Sequence, residues 1–313
     1  MGIIEEILEK INFYAVSDKK QAFENLSSRY KSNCGMGGVS IVNYIEAKTY
    51  VATRMPATIS AIKMCLGYLP NNSIDTILDV GAGTGAGMVA VFDFFKNITK
   101  CVCVEKYDAM IEILRVTQDI LDIDHTKTQI IKADAEELNK DIGKFDFVIA
   151  SYSLNEISDA KIDKVLENVY NLSGRYILLI EAGAPIGYKR VMKYKKFFID
   201  KGSSIVAPCK CDICPLENDY CAFLSRVDRP NIDRIIKDGK FSYEDENFSF
   251  VLIDKLGKKE HIKQNIVIRR PEYKKVLVKL KVCTSGGVKD LMVSKRDGDT
   301  YKKARKLEVG DQF

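Results

Sequence analysis

The sequence predicts an α/β fold built around a doubly wound parallel sheet, and three observations favour it. Short apolar runs typical of buried strands alternate with helical patterns from "DTILDV" (75–80) to "GRYILLIEAGAP" (174–185). The first run, "DTILDV", is followed at once by a glycine-rich turn and then by an apolar helix. Because strands and helices alternate in this way, we expect consecutive strands to be parallel, with helices packed on the sheet.

Four segments are predicted along the chain. Residues 1–66 form an N-terminal helical domain, because their apolar residues recur at helical spacing. Residues 67–201 contain the parallel core, and residues 202–247 form a cysteine-rich metal-binding segment. Residues 248–313 supply the remaining sheet strands and a basic C-terminal β extension. The core strands are predicted in "DTILDV", "CVCVEK", "TQIIKAD", "KFDFVIAS" and "GRYILLIEAG".

Length and composition favour a soluble protein. The chain has 313 residues, of which 46% are apolar, so it can bury at least one sizeable core. No apolar run approaches the ~18 residues of a membrane span, and the N-terminus lacks a basic-then-apolar signal pattern. We therefore expect a cytoplasmic protein with no membrane partner and reduced thiols.

Charge is unevenly placed along the chain. The net charge is +5, yet residues 255–313 contain 17 Lys and Arg against 7 Asp and Glu. A basic C-terminal region on an acidic body predicts a polyanionic partner, although a solvated Lys-rich surface would give the same pattern.

The stretch "LDVGAGTG" (78–85) is the most specific nucleotide-binding signal. Asp79 ends the first strand, and Gly81, Gly83 and Gly85 follow on alternate positions. Glycines at such a turn let the backbone pass close to a bound ligand, which a Cβ atom would block. An acidic residue followed by Gly-x-Gly-x-Gly resembles motif I of class I S-adenosylmethionine-dependent methyltransferases.

Two further carboxylates follow neighbouring strands. Glu105 ends the second strand, 26 residues after Asp79, where a carboxylate can accept hydrogen bonds from both ribose hydroxyls. Asp134 ends the third strand and resembles the acid near the adenine. The alternatives are that Glu105 caps the next helix and that Asp134 is a turn residue. Ser151 completes the predicted cofactor-binding set.

The catalytic residues stay unknown from the sequence. The fourth strand ends in "SYSLNE" (151–156), which supplies Tyr152, Asn155 and Glu156 as candidates at the ligand-binding edge of the sheet. The Asn-Pro-Pro-aromatic or Asp-Pro-Pro-aromatic pattern of amino-methylating enzymes is missing from this strand. Methyl transfer mainly needs an aligned acceptor, so positioning alone can suffice.

Four of the nine cysteines fall within "APCKCDICPLENDYC" (207–221). They are Cys209, Cys211, Cys214 and Cys221, while Cys283 stands apart in "KVCTSGG". Reduced thiolates packed so closely repel one another unless a cation neutralises them, so a metal centre is predicted. Three ligands from one loop with a distant fourth favour a [4Fe–4S] cluster over zinc, though the spacing leaves both open.

The other cysteines have a simpler interpretation. Cys34 and Cys65 are isolated and are expected to be buried structural thiols. Cys101 and Cys103 lie two apart on one face of a strand and are predicted to be core residues.

Several motifs in order resemble one known family. They are "YVATRMPATISA" (50–61), "LDVGAGTG", "SYSLNE", "IEAGAPIG" (180–187), "APCKCDICPL" with "DYCAF", "SRVDR" and "YEDENFSF" (243–250). The chain is similar over nearly its whole length to the methyltransferase-like family associated with the mitochondrial small ribosomal subunit. It resembles a bacterial member of this Rsm-type group of assembly factors.

The resemblance implies a class I methyltransferase fold with a Rossmann-like sheet, S-adenosylmethionine as cofactor and a [4Fe–4S] cluster. It assigns the cluster ligands to Cys209, Cys214, Cys221 and Cys283. The family has His where this chain has Cys211, so Cys211 is either a spare thiol or a replacement for Cys209. The implied partner is small-subunit ribosomal RNA of the 16S type. Apart from the resemblance, we expect a monomer. Eukaryotic relatives are mitochondrial.

Two functions from different classes follow. The first is an S-adenosylmethionine-dependent methyltransferase acting on small-subunit RNA. The second is a non-catalytic assembly factor that binds this RNA and has a structural Zn or Fe–S site. Basic residues between Arg269 and Arg305 could neutralise phosphates in either case. Arg54 either faces the active cleft or forms an interdomain salt bridge.

Overall fold

The structure is a computed structural model that describes residues 2–32, 41, 43–70, 74–138, 140–216, 219–258 and 265–313. The chain forms two compact units. The first comprises Met1–Ile180 with Ser225–Glu246, and the second comprises Glu181–Leu224 with Asn247–Phe313. Cys34 lies outside the described residues.

Four helices open the first unit, as the N-terminal pattern predicts. They are α1 (Ile3–Lys10), α2 (Lys19–Ser32), α3 (Tyr44–Thr53) and α4 (Met55–Leu66). The side chain of Asn43 begins α3 by accepting a hydrogen bond from the Glu46 amide at 2.9 Å. Pro56 lies in the first turn of α4, where its missing N–H has no helical partner to lose.

A parallel sheet forms the centre of the first unit. Its strands are β1 (Thr76–Val80), β2 (Lys100–Glu105), β3 (Thr128–Lys132), β4 (Phe145–Ser151) and β5 (Ser173–Ala182). They lie in the order β3-β2-β1-β4-β5, and every neighbouring pair is parallel. The intervening helices are α5 (Ala86–Phe94), α6 (Asp108–Ile120) and α7 (Ile162–Leu172). The predicted α/β class with a parallel-dominant sheet is confirmed.

Four of the core strands, β1, β2, β4 and β5, are built mostly from buried residues, which explains their continuous apolar sequence, whereas β3 at the edge of the sheet is only partly buried. In β1 and β2, the residues Ile77, Leu78, Val102 and Val104 are all buried. Cys101 and Cys103 are also buried in β2, with their sulfurs 3.9 Å apart, as predicted for core thiols. Cys65 is likewise buried, within α4. A strand covered on both faces needs apolar side chains on both, so alternation is absent.

The chain then passes between the two units several times. The later elements are α8 (Pro185–Asp200), β6 (Ser204–Ala207), β7 (Phe223–Asp228), α9 (Asn231–Ile236) and β8 (Tyr243–Asp254). Strands β5, β7 and β8 each have residues in both units. The run "GYKRVMKYKKFFIDKG" predicts a helix and "FSYEDENFSFVLIDK" predicts strand structure, and α8 and β8 form there. Strands β6 and β7 and helix α9 have no clear periodic signal in the sequence.

The second unit combines α8 with antiparallel strands. Strand β6 pairs antiparallel with β8. A separate sheet contains β9 (Ile266–Val267), β10 (Glu272–Tyr273), β11 (Leu277–Thr284) and β12 (Gly287–Ser294), followed by α10 (Asp299–Ala304). Its core is a small apolar cluster of Val267, Val278, Leu280, Val282, Val293, Ala304 and Leu307.

One run whose pattern is typical of a strand or a hairpin is divided. The run "QNIVIRRPEY" forms two short strands, β9 and β10, on either side of residues 268–271. Pro271 has no N–H to donate, and both short strands pair with β11. Among the described residues, no helix is both long and apolar enough to cross a membrane.

Candidate cofactor and thiol sites

The glycine-rich turn between β1 and α5 requires its glycines. Gly81, Gly83 and Gly85 all have positive φ, at 74°, 57° and 97°. This is the left-handed region, which side chains with a Cβ disfavour. A Cβ on Gly81 would also lie only 2.3 Å from the Cβ of Ser153, in the segment that follows β4. The turn therefore folds tightly over the carboxyl end of the sheet.

Asp79 lies beneath this turn as a buried carboxyl group without a partner. Its side chain is 2% exposed, and neither oxygen has a hydrogen-bond partner among the described residues. Helix α5 passes close by, since a Cβ on Gly87 would lie 2.1 Å from Asp79 Oδ2. Burial, followed by the nearby charge of Glu105, raises the pKa of Asp79 to about 7. Such an unpaired acid is uncommon in a folded protein and indicates a site for a cation or donor.

Glu105 is held by three backbone donors. The Gly83 amide donates to Oε2 at 2.9 Å, while the amides of Lys106 and Tyr107 donate to Oε1 at 2.8 and 2.9 Å. Burial raises the pKa of Glu105, and these hydrogen bonds oppose the rise. Glu105 thus fixes the glycine turn and holds the start of α6, while one acceptor position of its carboxylate is still unused.

A cavity of about 60 Å³ opens beside the turn, wholly within the first unit. Seven of the predicted site residues line it: Gly81, Gly83, Glu105, Asp134, Ser151, Tyr152 and Glu156. Asp79 and Gly85 lie outside the lining. A Cβ on Gly85 would approach Leu114 Cδ1 at 2.9 Å, so Gly85 serves helix packing instead. Asn155 also lies outside the lining.

Asp134 has a second, local role. Its Oδ1 atom accepts a hydrogen bond from the Glu136 amide at 3.0 Å and so caps a short 3₁₀ turn. Asp134 can cap the turn and line the cavity at the same time, because its other oxygen is not needed for the cap.

Three tyrosines complete the cavity, and sequence analysis does not predict them. Tyr30 comes from α2, Tyr50 from α3, and Tyr107 from the residue before α6. The rings of Tyr30 and Tyr50 are 6.5 Å apart. Burial raises the pKa of both hydroxyls, so both stay protonated and polar at neutral pH. The cavity therefore has aromatic side chains in its lining, which suit a planar ligand.

Tyr152 belongs to a buried network with Arg54 and Glu246. Its hydroxyl donates to Glu246 Oε1 at 2.8 Å, and the Arg54 guanidinium donates to both oxygens of Glu246 at 3.0 and 3.2 Å. The same guanidinium lies 5.8 Å from the centre of the Tyr152 ring. All three residues are in the first unit. Arg54 is thus ion-paired beside the cavity, so it combines parts of both interpretations offered by the sequence.

These contacts limit the acid–base chemistry at the end of β4. Tyr152 has a positive φ of 54°, which a bulky residue rarely adopts. Burial, followed by the Glu246 charge, raises the pKa of its phenol well above the ordinary value. Glu156 is engaged as well, by Lys106 Nζ at 3.2 Å and the Tyr107 hydroxyl at 3.3 Å. Among the candidates, neither Tyr152 nor Glu156 is an unpaired general base.

The second unit brings five cysteines to one cavity of about 140 Å³. Cys209, Cys211, Cys214 and Cys221 come from the loop after β6, and Cys283 comes from β11. Apolar side chains such as Val191, Phe223 and Phe250 form much of the remaining wall. The structure therefore brings together the distant cysteine and the four clustered ones, which are at least 62 residues away in sequence.

Helix α8 supplies two polar groups to this cavity. The Tyr188 hydroxyl lies 3.1 Å from Cys214 Sγ. The ammonium of Lys195, which is 4% exposed, lies 4.0 Å from Cys209 Sγ and donates to the Cys211 carbonyl. Burial, followed by Cys214 and Cys209, raises the pKa of Cys283 to about 12. Burial also raises the pKa of Cys221, and the neighbouring thiols add to the rise.

The five thiols are soft donors of the kind that zinc and iron–sulfur clusters use. The neighbouring thiols hinder ionisation of Cys221 and Cys283, which a bound cation would reverse. Across the described residues, however, no group of three or more Cys, His, Asp or Glu side chains has an arrangement that could hold a metal ion. The donor set fits a metal centre, while the sulfur positions are those of separate thiols.

Part of the basic C-terminal region is used internally. Arg269 pairs with Asp219, donates to the Tyr220 carbonyl at 2.8 Å and lies 4.3 Å from the centre of the Tyr220 ring. Lys281 reaches Asp219 at 3.4 Å. These two cations hold the segment before Cys221, so we withdraw them from the set expected to contact phosphate. Other basic residues stay exposed: Arg270, Lys274, Lys275, Lys295, Arg296, Lys302, Lys303 and Arg305.

Known structures give distant similarities. A magnesium protoporphyrin IX methyltransferase from Synechocystis with bound SAH is 15% identical, with a TM-score of 0.43, and the match covers 76% of this chain and 99% of that one. A precorrin-6y C5,15-methyltransferase from Geobacter metallireducens is 15% identical, with a TM-score of 0.41, and the match covers 62% of this chain and 86% of that one. A precorrin 8W decarboxylase from Methanobacterium thermoautotrophicum is 12% identical, with a TM-score of 0.40, and the match covers 62% of this chain and 88% of that one.

Sequence comparison identifies the family. No curated protein matches the chain. The family model for the mitochondrial small ribosomal subunit Rsm22 matches residues 44–313, well over half of the chain. This match confirms the resemblance found from the motifs, and the chain belongs to the Rsm22 family.

Proposed function

We propose that the protein binds S-adenosylmethionine in the cavity of the first unit and acts on small-subunit ribosomal RNA. The observation that supports the cofactor best is the unpaired, buried carboxyl of Asp79 beneath the glycine turn. S-adenosylmethionine has a cationic ammonium and a cationic sulfonium, and either can compensate a buried negative charge. The turn is free of Cβ atoms at Gly81 and Gly83, which line the cavity.

Further residues fit the rest of the cofactor. The unused acceptor position of Glu105 suits a ribose hydroxyl, and Asp134 and Ser151 also line the cavity. Tyr30 and Tyr50 provide aromatic surface for a planar group. When bound, S-adenosylmethionine supplies a methyl group on a positively charged sulfur. The protein contributes binding, orientation and exclusion of water.

Binding should depend on pH, because the ligand is a cation and Asp79, which lies behind the cavity lining, attracts it only when its carboxyl group is ionised. With the pKa of Asp79 at about 7, affinity is expected to rise about tenfold between about pH 6 and about pH 8. The Asp79→Asn variant should bind S-adenosylmethionine more weakly, and its affinity should not change with pH. Calorimetric titration at several pH values checks this, and an equal slope in both proteins would exclude Asp79 as the group responsible.

The pKa of Asp79 also determines how the free energy of unfolding of the ligand-free protein changes with pH. The folded pKa lies above the ordinary value of 3.8, so the folded protein holds the proton more tightly than the unfolded chain. Stability is therefore lost as pH rises from about 4 to about 7 and then levels off. Asp79→Asn should remove this loss.

A second function, a non-catalytic assembly factor, is favoured by a different observation. Tyr152 and Glu156 are both engaged by neighbouring side chains, so neither is a free base beside the cavity. A protein of this kind would use the cofactor to stabilise a conformation rather than to methylate RNA. Under both functions we propose a monomer that works in the cytoplasm.

The RNA partner is supported by family membership and by charge. The matching family is described as belonging to the small ribosomal subunit. Nine exposed cations from Arg270 to Arg305, which include Lys289, can neutralise phosphates, and this predicts binding that weakens as salt rises.

We further propose that the thiol cavity is a metal centre with Cys209, Cys214, Cys221 and Cys283 as ligands. A [4Fe–4S] cluster is the first choice, zinc is the alternative, and Cys211 is the alternative to Cys209. Such a centre would link the loop after β6 to β11 and so stabilise the second unit. Its role is structural in this proposal.

Ribosomal RNA methylation in three strains separates the two functions. The strains contain wild-type protein, no protein, or the Asp79→Asn variant at matched abundance. A methylated site that is lost in the deletion and in the variant supports the enzyme. Complete methylation in all three strains, with subunit assembly impaired only in the deletion, supports the assembly factor.

A further inference from the structure

Cys211 is the one thiol of the cavity that a four-ligand centre does not need. It lies two residues from Cys209, and both belong to the loop that follows β6. The Cys211 thiol lies 3.4 Å from Cys209 Sγ, close enough for an S–H···S contact. Both side chains are only partly buried.

The surroundings allow these two sulfurs to approach further. A disulfide needs an S–S separation of ~2.05 Å, so the gap must close by roughly 1.4 Å. Residues 208–216 lie outside helices and strands, so no ladder of backbone hydrogen bonds opposes a small adjustment. The ammonium of Lys195, 4.0 Å from Cys209 Sγ, stabilises negative charge on a reacting sulfur.

The chain contains an internal comparison. Cys101 and Cys103 are also two residues apart, with sulfurs 3.9 Å from each other. They are 0% and 1% exposed and lie in β2, which pairs with β1 and β3 on its two sides. This second pair has similar sulfur spacing but neither access for an oxidant nor freedom of its backbone.

We propose that Cys209 and Cys211 form a peroxide-sensitive dithiol, whose disulfide removes Cys209 from the thiol set of the cavity. One sulfur attacks a peroxide oxygen and becomes a sulfenic acid as the O–O bond breaks, and the released hydroxide is protonated to water. The partner sulfur then attacks the sulfenic sulfur, forming the S–S bond and releasing a second water. The two thiols lose two electrons, which reduce the peroxide.

The consequence of this reaction rests on the proposed metal centre, whereas the reaction itself does not. A disulfide at Cys209 would leave three of the four proposed ligands and prevent reloading of the metal. Reduction by a thiol would restore the site. The metal content of the second unit would therefore depend on whether conditions are oxidising or reducing.

The test compares two samples of the full-length protein, both prepared without oxygen. One is used as isolated, and the other is first stripped with a chelator in the presence of a reductant that is then removed. Each is treated with hydrogen peroxide, alkylated and mapped by peptide mass spectrometry. The stripped sample should lose two free thiols per chain and show a Cys209–Cys211 bond, while Cys101 and Cys103 are fully alkylated after unfolding.

The as-isolated sample should form the bond more slowly if Cys209 holds a metal. Equal rates in both samples would support the dithiol but contradict the metal centre, so the two proposals fail separately. A stripped sample whose Cys209 and Cys211 stay as thiols, or bond to other cysteines, would overturn the dithiol. The Cys211→Ser variant should lose no pair of thiols, and a new disulfide from Cys209 to another cysteine in that variant would count against it.

Discussion

Replacing Gly83 with arginine is expected to abolish binding of S-adenosylmethionine by the otherwise folded protein. Gly83 lines the first-unit cavity, and its φ is +57°. A Cβ there would lie 3.6 Å from Met110 Cε, which is ordinary contact, so the first carbon alone is tolerated. The rest of an arginine must enter a cavity of about 60 Å³ and take the place of the ligand. Affinity should fall at least ~100-fold, or ~2.7 kcal/mol.

Gly143→Arg is the matched control for this substitution. Gly143 also has a positive φ, of 98°, and nothing lies within 4 Å of the Cβ position. It is exposed and lies in the first unit, just before β4. The two variants share the backbone strain of a side chain at positive φ, so a difference between them reports the cavity. Equal affinities for both variants in calorimetry would contradict the cofactor site.

Replacing Cys283 with serine is expected to remove metal and to destabilise the second unit. Cys283 is the only proposed ligand on β11, while the other three lie in the loop after β6. A hydroxyl is a poor ligand for a soft metal, so the link between loop and strand is broken. We expect the thermal midpoint of anaerobically purified protein to fall by at least ~5 °C, since a loss of ~2 kcal/mol has about this effect at this size.

Cys211→Ser is the control, because it removes a thiol from the same cavity without removing a proposed ligand. It should keep its metal and unfold close to the wild-type temperature. If Cys211→Ser loses metal while Cys209→Ser keeps it, the ligand assignment moves to Cys211. If Cys283→Ser unfolds like the wild type with its metal intact, the link through β11 is wrong.

The parts of the fold that the sequence predicts are those set by local patterns. Strands β1, β2, β4 and β5 are short apolar runs that are mostly buried, so their sequence alone identifies them, whereas β3 is only partly buried at the edge of the sheet. The turn at Gly81 and Gly83 is equally local, because positive φ selects glycine within a few residues. The cysteine loop is visible for the same reason, since its four thiols are close in sequence.

The contacts that the sequence does not reveal join distant residues. Glu246 meets Arg54 across 192 positions and Tyr152 across 94. No periodicity indicates such a pair, and each residue viewed alone is compatible with a surface position. Tyr30 and Tyr50 are similar, because helical spacing places them in α2 and α3 without saying which cavity those helices approach. These contacts depend on how whole elements pack, which tertiary structure decides.

Arg269 shows that a count of basic residues overestimates how many of them can contact RNA. By composition it belongs to the basic C-terminal region, and it was expected to contact phosphate. In the fold it pairs with Asp219 and stacks on Tyr220, so its charge is already compensated. A partly exposed charge that is paired in this way contributes to the structure of the thiol loop more than to attraction of RNA.

The metal centre proposed for the crowded thiols of the second unit is most directly tested by elemental analysis of the protein purified without oxygen. Iron and acid-labile sulfide should be present in equal amounts, at about four each per chain. One zinc without sulfide would keep the metal centre and replace the cluster. Fully folded protein with neither iron nor zinc, and with all five cavity cysteines freely alkylated, would contradict the metal centre.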